Sequence, residues 1–202
     1  MSFMKKFLLF PLLAFVFDCV ELSAITKQDN DLIVAASRGD IEGARNLIEC
    51  GASALATDDK GRTALMAAAD EGHKDMVSFL ITNGAAVNVT DNNGKTPLMY
   101  AAEDGFNTAL VKLLIMNKAK VNIVDKRGWT AIMYAASGGY VNSVKMLVEA
   151  GGDFKVKAPD GKTAKDMAAE KDLRNVVDYL TQQEALSKDI WASGNDDDDD
   201  DN

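Results

Sequence analysis

Thr63, Thr96, Thr130 and Thr163 stand 33, 34 and 33 residues apart, and each opens a near-copy of one heptapeptide. The four copies read Thr63-Ala-Leu-Met-Ala-Ala-Ala69, Thr96-Pro-Leu-Met-Tyr-Ala-Ala102, Thr130-Ala-Ile-Met-Tyr-Ala-Ala136 and Thr163-Ala-Lys-Asp-Met-Ala-Ala169. A unit of that length cannot bury its own apolar face, so successive units must stack and share one continuous core. Function is then expected on the surface of a linear array and not in a closed pocket.

Two residues before each threonine stands a glycine, Gly61, Gly94, Gly128 or Gly161, preceded by an aspartate-containing or asparagine-containing turn. Glycine supplies the positive backbone angle of a hairpin tip, and Asp or Asn side chains hydrogen-bond their own turn. After the heptapeptide come two variable residues, a glycine and an apolar run. In the clearest copy, Met76, Val77, Leu80 and Ile81 recur at helical spacing and predict a second helix that stops at Asn83-Gly84.

Turn, threonine-capped helix, glycine break, longer helix, then Gly84-Ala-Ala-Val-Asn88: this order resembles an ankyrin repeat, over most of residues 29–185. A degenerate first copy fits in phase, with Leu32-Ile-Val-Ala-Ala36, Gly39 and Leu47-Ile-Glu-Cys-Gly51. The resemblance implies an all-α solenoid of about five helix-turn-helix repeats with hairpin-like loops, at 29–57, 58–90, 91–124, 125–157 and 158–185, inside a domain spanning 25–187. Terminal copies should be atypical because one face of each meets water. The fifth carries Lys165 and Asp166 where the fourth has Ile132 and Met133, and Asp172 in place of the inter-helix glycine.

The histidine that ankyrin repeats commonly place after their Thr-Pro pair is Met66, Met99 and Met133 here, which substitutes adaptable apolar packing for a hydrogen-bond network. Only Thr96 is followed by proline, which suits a first helical position. The third repeat has one extra residue between Gly105 and Leu110, and Lys118 in the slot of Gly84 and Gly151. A left-handed lysine costs about 1 kcal/mol, so this junction is expected to be the irregular step.

Residues 1–24 read as a secretory signal peptide: Lys5 and Lys6, an apolar stretch from Phe7 to Phe17, and Leu22-Ser-Ala24 as a small-residue cleavage site. Eleven residues make about 16 Å of helix, against about 30 Å of bilayer core, so stable membrane insertion after cleavage is not expected. Asp18 argues against a lipid anchor on Cys19. The short signal with two lysines resembles a bacterial one and places the mature chain in the periplasm or outside the cell. Cleavage leaves Cys50 as the one thiol, so no intramolecular disulfide can form. Six of the charges behind a net −9 are the run Asp196 to Asp201, in a C-terminal segment at 188–202 that is expected to be a disordered acidic tail. It lacks the glycine-turn ligand spacing of a calcium loop. An acidic chain with no basic stripe is not expected to bind nucleic acid.

Catalysis and metal binding find little to work with. His73 is the single histidine and follows Gly72, where ankyrin repeats often hold a structural histidine. With that one histidine in a structural place no catalytic triad can be built, and one histidine with one mature cysteine does not make a zinc site. The glycines at 61, 94, 128 and 161 recur once per repeat as hairpin punctuation and do not form a phosphate-cradling loop. No enzyme activity and no cofactor are expected.

A partner would meet the residues that change from repeat to repeat. By the ankyrin resemblance, hairpin tips and first helices line a concave face, which places Arg62, Asp70, Glu71, Lys95, Tyr100, Glu103, Asp104, Arg127, Trp129 and Tyr134 along it. Trp129 takes the position of Arg62, Lys95 and Lys162, so the unit does not require it. Aromatics dominate binding hot spots, and Tyr100 and Tyr134 occupy equivalent sites next to it; the other role open to these rings is to cover methionines or the next repeat. Asp70, Glu71, Glu103 and Asp104 make an acidic strip that would steer a basic partner. The expected function is a non-enzymatic scaffold for a partner protein, acting as a periplasmic inhibitor, an immunity-type protein or a secreted effector. The alternative is a periplasmic stress-protective or redox-protective protein, suggested by nine methionines and one mature cysteine.

Overall fold

The computed structural model of the chain describes residues 27–105 and 108–192, with side chains up to 187. The expected signal peptide and the Asp196 to Asp201 run lie outside the described residues, as do positions 106 and 107 of the third-repeat insertion. Among the described residues ten helices form five antiparallel pairs: α1 (27–38) with α2 (Ile41–Glu49), α3 (Ala64–Asp70) with α4 (Lys74–Thr82), α5 (Pro97–Asp104) with α6 (Thr108–Met116), α7 (Ala131–Ser137) with α8 (Val141–Glu149), and α9 (Ala164–Glu170) with α10 (Arg174–Ala192). First helices stack on first helices, α3 on α5 on α7 on α9, and second helices on second helices, α2 through α10. The array is all-α, as the repeat pattern predicts.

The heptapeptide explains each first helix. Its threonine is extended and accepts from the backbone N–H three residues on, at 3.3 Å for Thr63, Thr96 and Thr163 and 3.4 Å for Thr130. Each such cap contributes about 1 kcal/mol. Behind the cap, Met66, Met99 and Met133 are 0–1 % exposed and join Leu65, Leu98 and Ile132 in one core running through the stack. The Met66 and Met99 sulfurs also lie 3.5 Å from the backbone N–H of Thr63 and Thr96, so the residue that replaces histidine still closes the cap.

Lys118 adopts φ 65°, and Asp172 takes φ 54° in the glycine slot of the fifth repeat. Both are left-handed positions that a side chain resists, aspartate less than lysine. Neighbouring repeats are tied by paired asparagine bonds. Asn88 donates to the Lys118 carbonyl at 2.9 Å and accepts from the Lys120 N–H at 2.7 Å, and Asn122 does the same with Gly151 and Asp153 at 3.0 and 2.8 Å. His73 donates from Nε2 to the Ser37 carbonyl at 3.1 Å, packing its ring against Gly39 of the preceding repeat. At the far end α10 runs on through Ala192, past the boundary expected at 188, while Lys165 meets Glu184 at 2.5 Å and Lys155 meets Ser187 at 3.0 Å.

Candidate binding surface

The hairpins of the second, third and fourth repeats are each latched by the aspartate at their start. Asp58 Oδ1 accepts from the N–H groups of Lys60 and Arg62, Asp91 Oδ1 from those of Asn93 and Lys95, and Asp125 Oδ1 from those of Arg127 and Trp129, all at 2.8–2.9 Å. The second oxygen is used differently. Asp91 Oδ2 accepts from the Tyr100 hydroxyl at 2.8 Å and Asp125 Oδ2 from Tyr134 at 2.6 Å, whereas Asp58 Oδ2 takes the Arg62 Nε at 3.0 Å. Burial outweighs nothing at Asp58: it pushes that carboxyl up, but the Arg62 and Lys60 hydrogen bonds hold it below its ordinary value.

This corrects the expectation for the two tyrosines. Tyr100 and Tyr134 do stand at equivalent places on adjacent first helices, but they are only 7 % and 4 % exposed. Burial, then the hydrogen bond to aspartate, raises both phenols, so they remain protonated donors. The rings form the floor of the hairpin face and offer a partner almost no surface. The physical reason is that a ring at this point of the helix brings its hydroxyl back to its own hairpin aspartate, nine residues upstream. Pairing of Asp with Tyr in repeats three and four, against Ala158 with Met167 in repeat five, is the sequence signal for that role.

Above the floor runs a series of charge pairs. The residue before each capping threonine meets the residue seven after it: Arg62 Nη1 with Asp70 Oδ2 at 4.0 Å, Lys95 with Glu103, and Lys162 Nζ with Glu170 Oε1 at 2.6 Å. Lys95 lies 4.2 Å above the Tyr100 ring and 4.7 Å above that of Tyr134, its side chain 13 % exposed. In the fourth repeat the two positions are Trp129 and Ser137, and the pair is missing. The half-buried indole sits 5.1 Å from the Tyr134 ring, with the Arg127 guanidinium 4.1 Å over it.

The acidic strip is electrostatically continuous. Burial raises the Asp70 and Asp104 carboxyls, and Glu71 and Glu103 add to the shift of each, opposed at Asp70 by Lys95 and Arg62. Among the described residues, no three His, Cys, Asp or Glu side chains gather as a metal site would require. Nor is any described helix long and apolar enough to cross a membrane.

Stacked helix pairs with latched hairpins and a continuous buried ladder define a helical repeat solenoid. A family model for ankyrin repeats, in three copies, matches residues 32–119 and again 98–192, and the chain belongs to the ankyrin repeat family. Comparison with curated proteins returned no match. Ankyrin repeats are generally protein–protein interaction modules and typically not enzymes.

Proposed function

We propose that this protein is a non-enzymatic scaffold that docks a partner protein on the concave face of the stack, with Trp129 as anchor and Arg127 beside it. The observation that carries this reading is the interruption of the charge-pair series: three repeats keep a base and an acid where the fourth has Trp129 and Ser137. Three repeats fold without an aromatic at that place, so the indole is surplus to the architecture. A large ring with few rotatable bonds is what a binding hot spot uses. The flanking pairs at Arg62, Lys95 and Glu103 form a charged rim, and the strip of Asp70, Glu71 and Asp104 favours approach of a basic partner.

The composition of residues 1–24 supports action in the periplasm or outside the cell, where a stack laid across a partner's working surface serves as an inhibitor, immunity-type protein or effector. The stress-protective reading has weaker support, because Met66, Met99 and Met133 are out of reach of a dissolved oxidant. Capture from the envelope fraction and culture medium with the tagged chain tests the scaffold reading. Trp129→Ala should weaken capture about 30-fold or more, the loss expected of a hot-spot aromatic. Equal recovery of the same partner by the variant refutes the anchor.

A further inference from the structure

Val34, Ala67, Tyr100, Tyr134 and Met167 occupy equivalent positions along the hairpin face. Phenols fill the third and fourth. At Ala67 no ring is present, and an open cleft of about 310 Å³ lies between α1 and α3. That is close to the lower bound of about 300 Å³ for small-molecule sites, a size suited to one long side chain. Ile33, Val34 and Ala67 line its apolar side, and Val34 is 43 % exposed although it is a large hydrophobic residue.

The polar side decides what enters. A partner's tyrosine would have to share Asp58 Oδ2, the matching acceptor, with Arg62, which already donates to it at 3.0 Å, so this place suits a phenol less well than the one filled by Tyr100. Three carboxylates, Asp58, Asp70 and Glu71, face the single guanidinium of Arg62. Arg62 is bonded to Asp58 and shared at 4.0 Å with Asp70, which Lys95 also attends, so Glu71 is the more open acceptor and Asp70 assists it. A side chain with a hydrocarbon stem and a cationic tip satisfies both sides, since long basic residues bury their stems while the charged end stays wet.

We propose that this cleft is a subsite for a lysine or arginine side chain of the partner protein, with its stem on Val34 and Ala67 and its head at Asp70 and Glu71. The subsite deepens the concave-face reading and rests on it. It is tested by titrating the ¹⁵N-labelled full chain with a blocked pentapeptide carrying a central lysine, and in parallel with the same peptide carrying norleucine. The lysine peptide should give saturable shifts at the Val34, Ala67 and Glu71 amides, and the norleucine peptide should bind at least fivefold more weakly. Ala67→Tyr should abolish the shifts while the remaining spectrum reports an intact fold, since two other repeats carry tyrosine at that position. Asp70→Asn with Glu71→Gln keeps the cleft open and should reduce the lysine peptide to the norleucine level. Absence of saturable shifts, equal affinity for the two peptides, or indifference to Ala67→Tyr overturns the subsite. Trp129→Ala should leave lysine-peptide binding unchanged. Loss of partner capture in Trp129→Ala without lysine-peptide binding therefore removes the subsite alone, whereas lysine-peptide binding with capture indifferent to Trp129→Ala removes the anchor and leaves the subsite.

Discussion

Tyr134 and Asp125 offer a test of the hairpin latch that can be worked to a magnitude. The Asp125 carboxylate is 6 % exposed and receives three donors: the Arg127 N–H at 2.9 Å, the Trp129 N–H at 2.8 Å and the Tyr134 hydroxyl at 2.6 Å. Tyr134→Phe removes one hydrogen bond to a charged acceptor in a nearly dry place, a loss of about 1.5–3 kcal/mol. Asp125→Ala strands three donors, but the exposed Arg127 amide can turn to water. Two buried or half-buried donors at about 1–3 kcal/mol each, plus lost packing, give about 3–5 kcal/mol. In the double variant the stranded hydroxyl is gone, so the two changes should fall short of additivity by about 1.5–3 kcal/mol. Urea unfolding followed by circular dichroism measures this, with midpoints compared at a common slope, a necessary check because repeat arrays can lose two-state behaviour. A Tyr134→Phe cost below about 0.5 kcal/mol, within the range of an ordinary surface substitution, or full additivity of the two changes, would refute the latch.

Lys118→Gly should stabilise the chain by up to about 0.5 kcal/mol, the relief of a left-handed lysine less the extra entropy of an unfolded glycine, seen as a slightly higher urea midpoint; a clearly lower midpoint contradicts the strain at φ 65°. Asp104 has its carboxyl raised above the ordinary 3.8 by burial, then by Glu71 and Glu103, so the fold binds its proton more tightly than the unfolded chain does. Stability from this group is therefore greatest below the raised value and falls as pH rises through it. Asp104→Asn should be more stable than wild type at pH 7, with the difference vanishing in acid below about 3.8; a gap that persists or grows in acid reverses the sign. Thr130→Ala should cost about 1 kcal/mol through loss of the cap, read from the same unfolding curves; no change would mean that the Met133 N–H finds another partner.

Much of the architecture is legible from one residue type per position. Threonine caps, inter-helix glycines and hairpin glycines mark five units, and even the irregular step at Lys118 follows from its place in a glycine column. The end of α10 was harder to read because no glycine or proline interrupts the chain before Gly194, while attention to charge alone suggests a tail from 188. Lys165 and Lys155 hold the helix through Glu184 and Ser187, contacts between residues far apart in the sequence. On the candidate surface the sequence shows which positions differ but not what each side chain touches. Trp129 stands out by comparison of equivalent positions, but Tyr100 and Tyr134 look like surface residues until each is considered with an aspartate nine places earlier. The cleft at Ala67 is a property of what is small next to what is large, which variation at a single position does not reveal.

The asparagine ties have a mechanical consequence. Asn88, Asn122 and, through a longer reach, Lys155 fasten the later junctions, while the corresponding residue of the first repeat is Leu55, which has no polar group with which to do so and is 57 % exposed. The first junction thus lacks this tie and relies on other contacts, among them the bond from His73 to the Ser37 carbonyl. Pulled from its ends, the molecule is expected to peel from the amino-terminal module inward, and any rocking of that module would widen or narrow the gap beside Ala67.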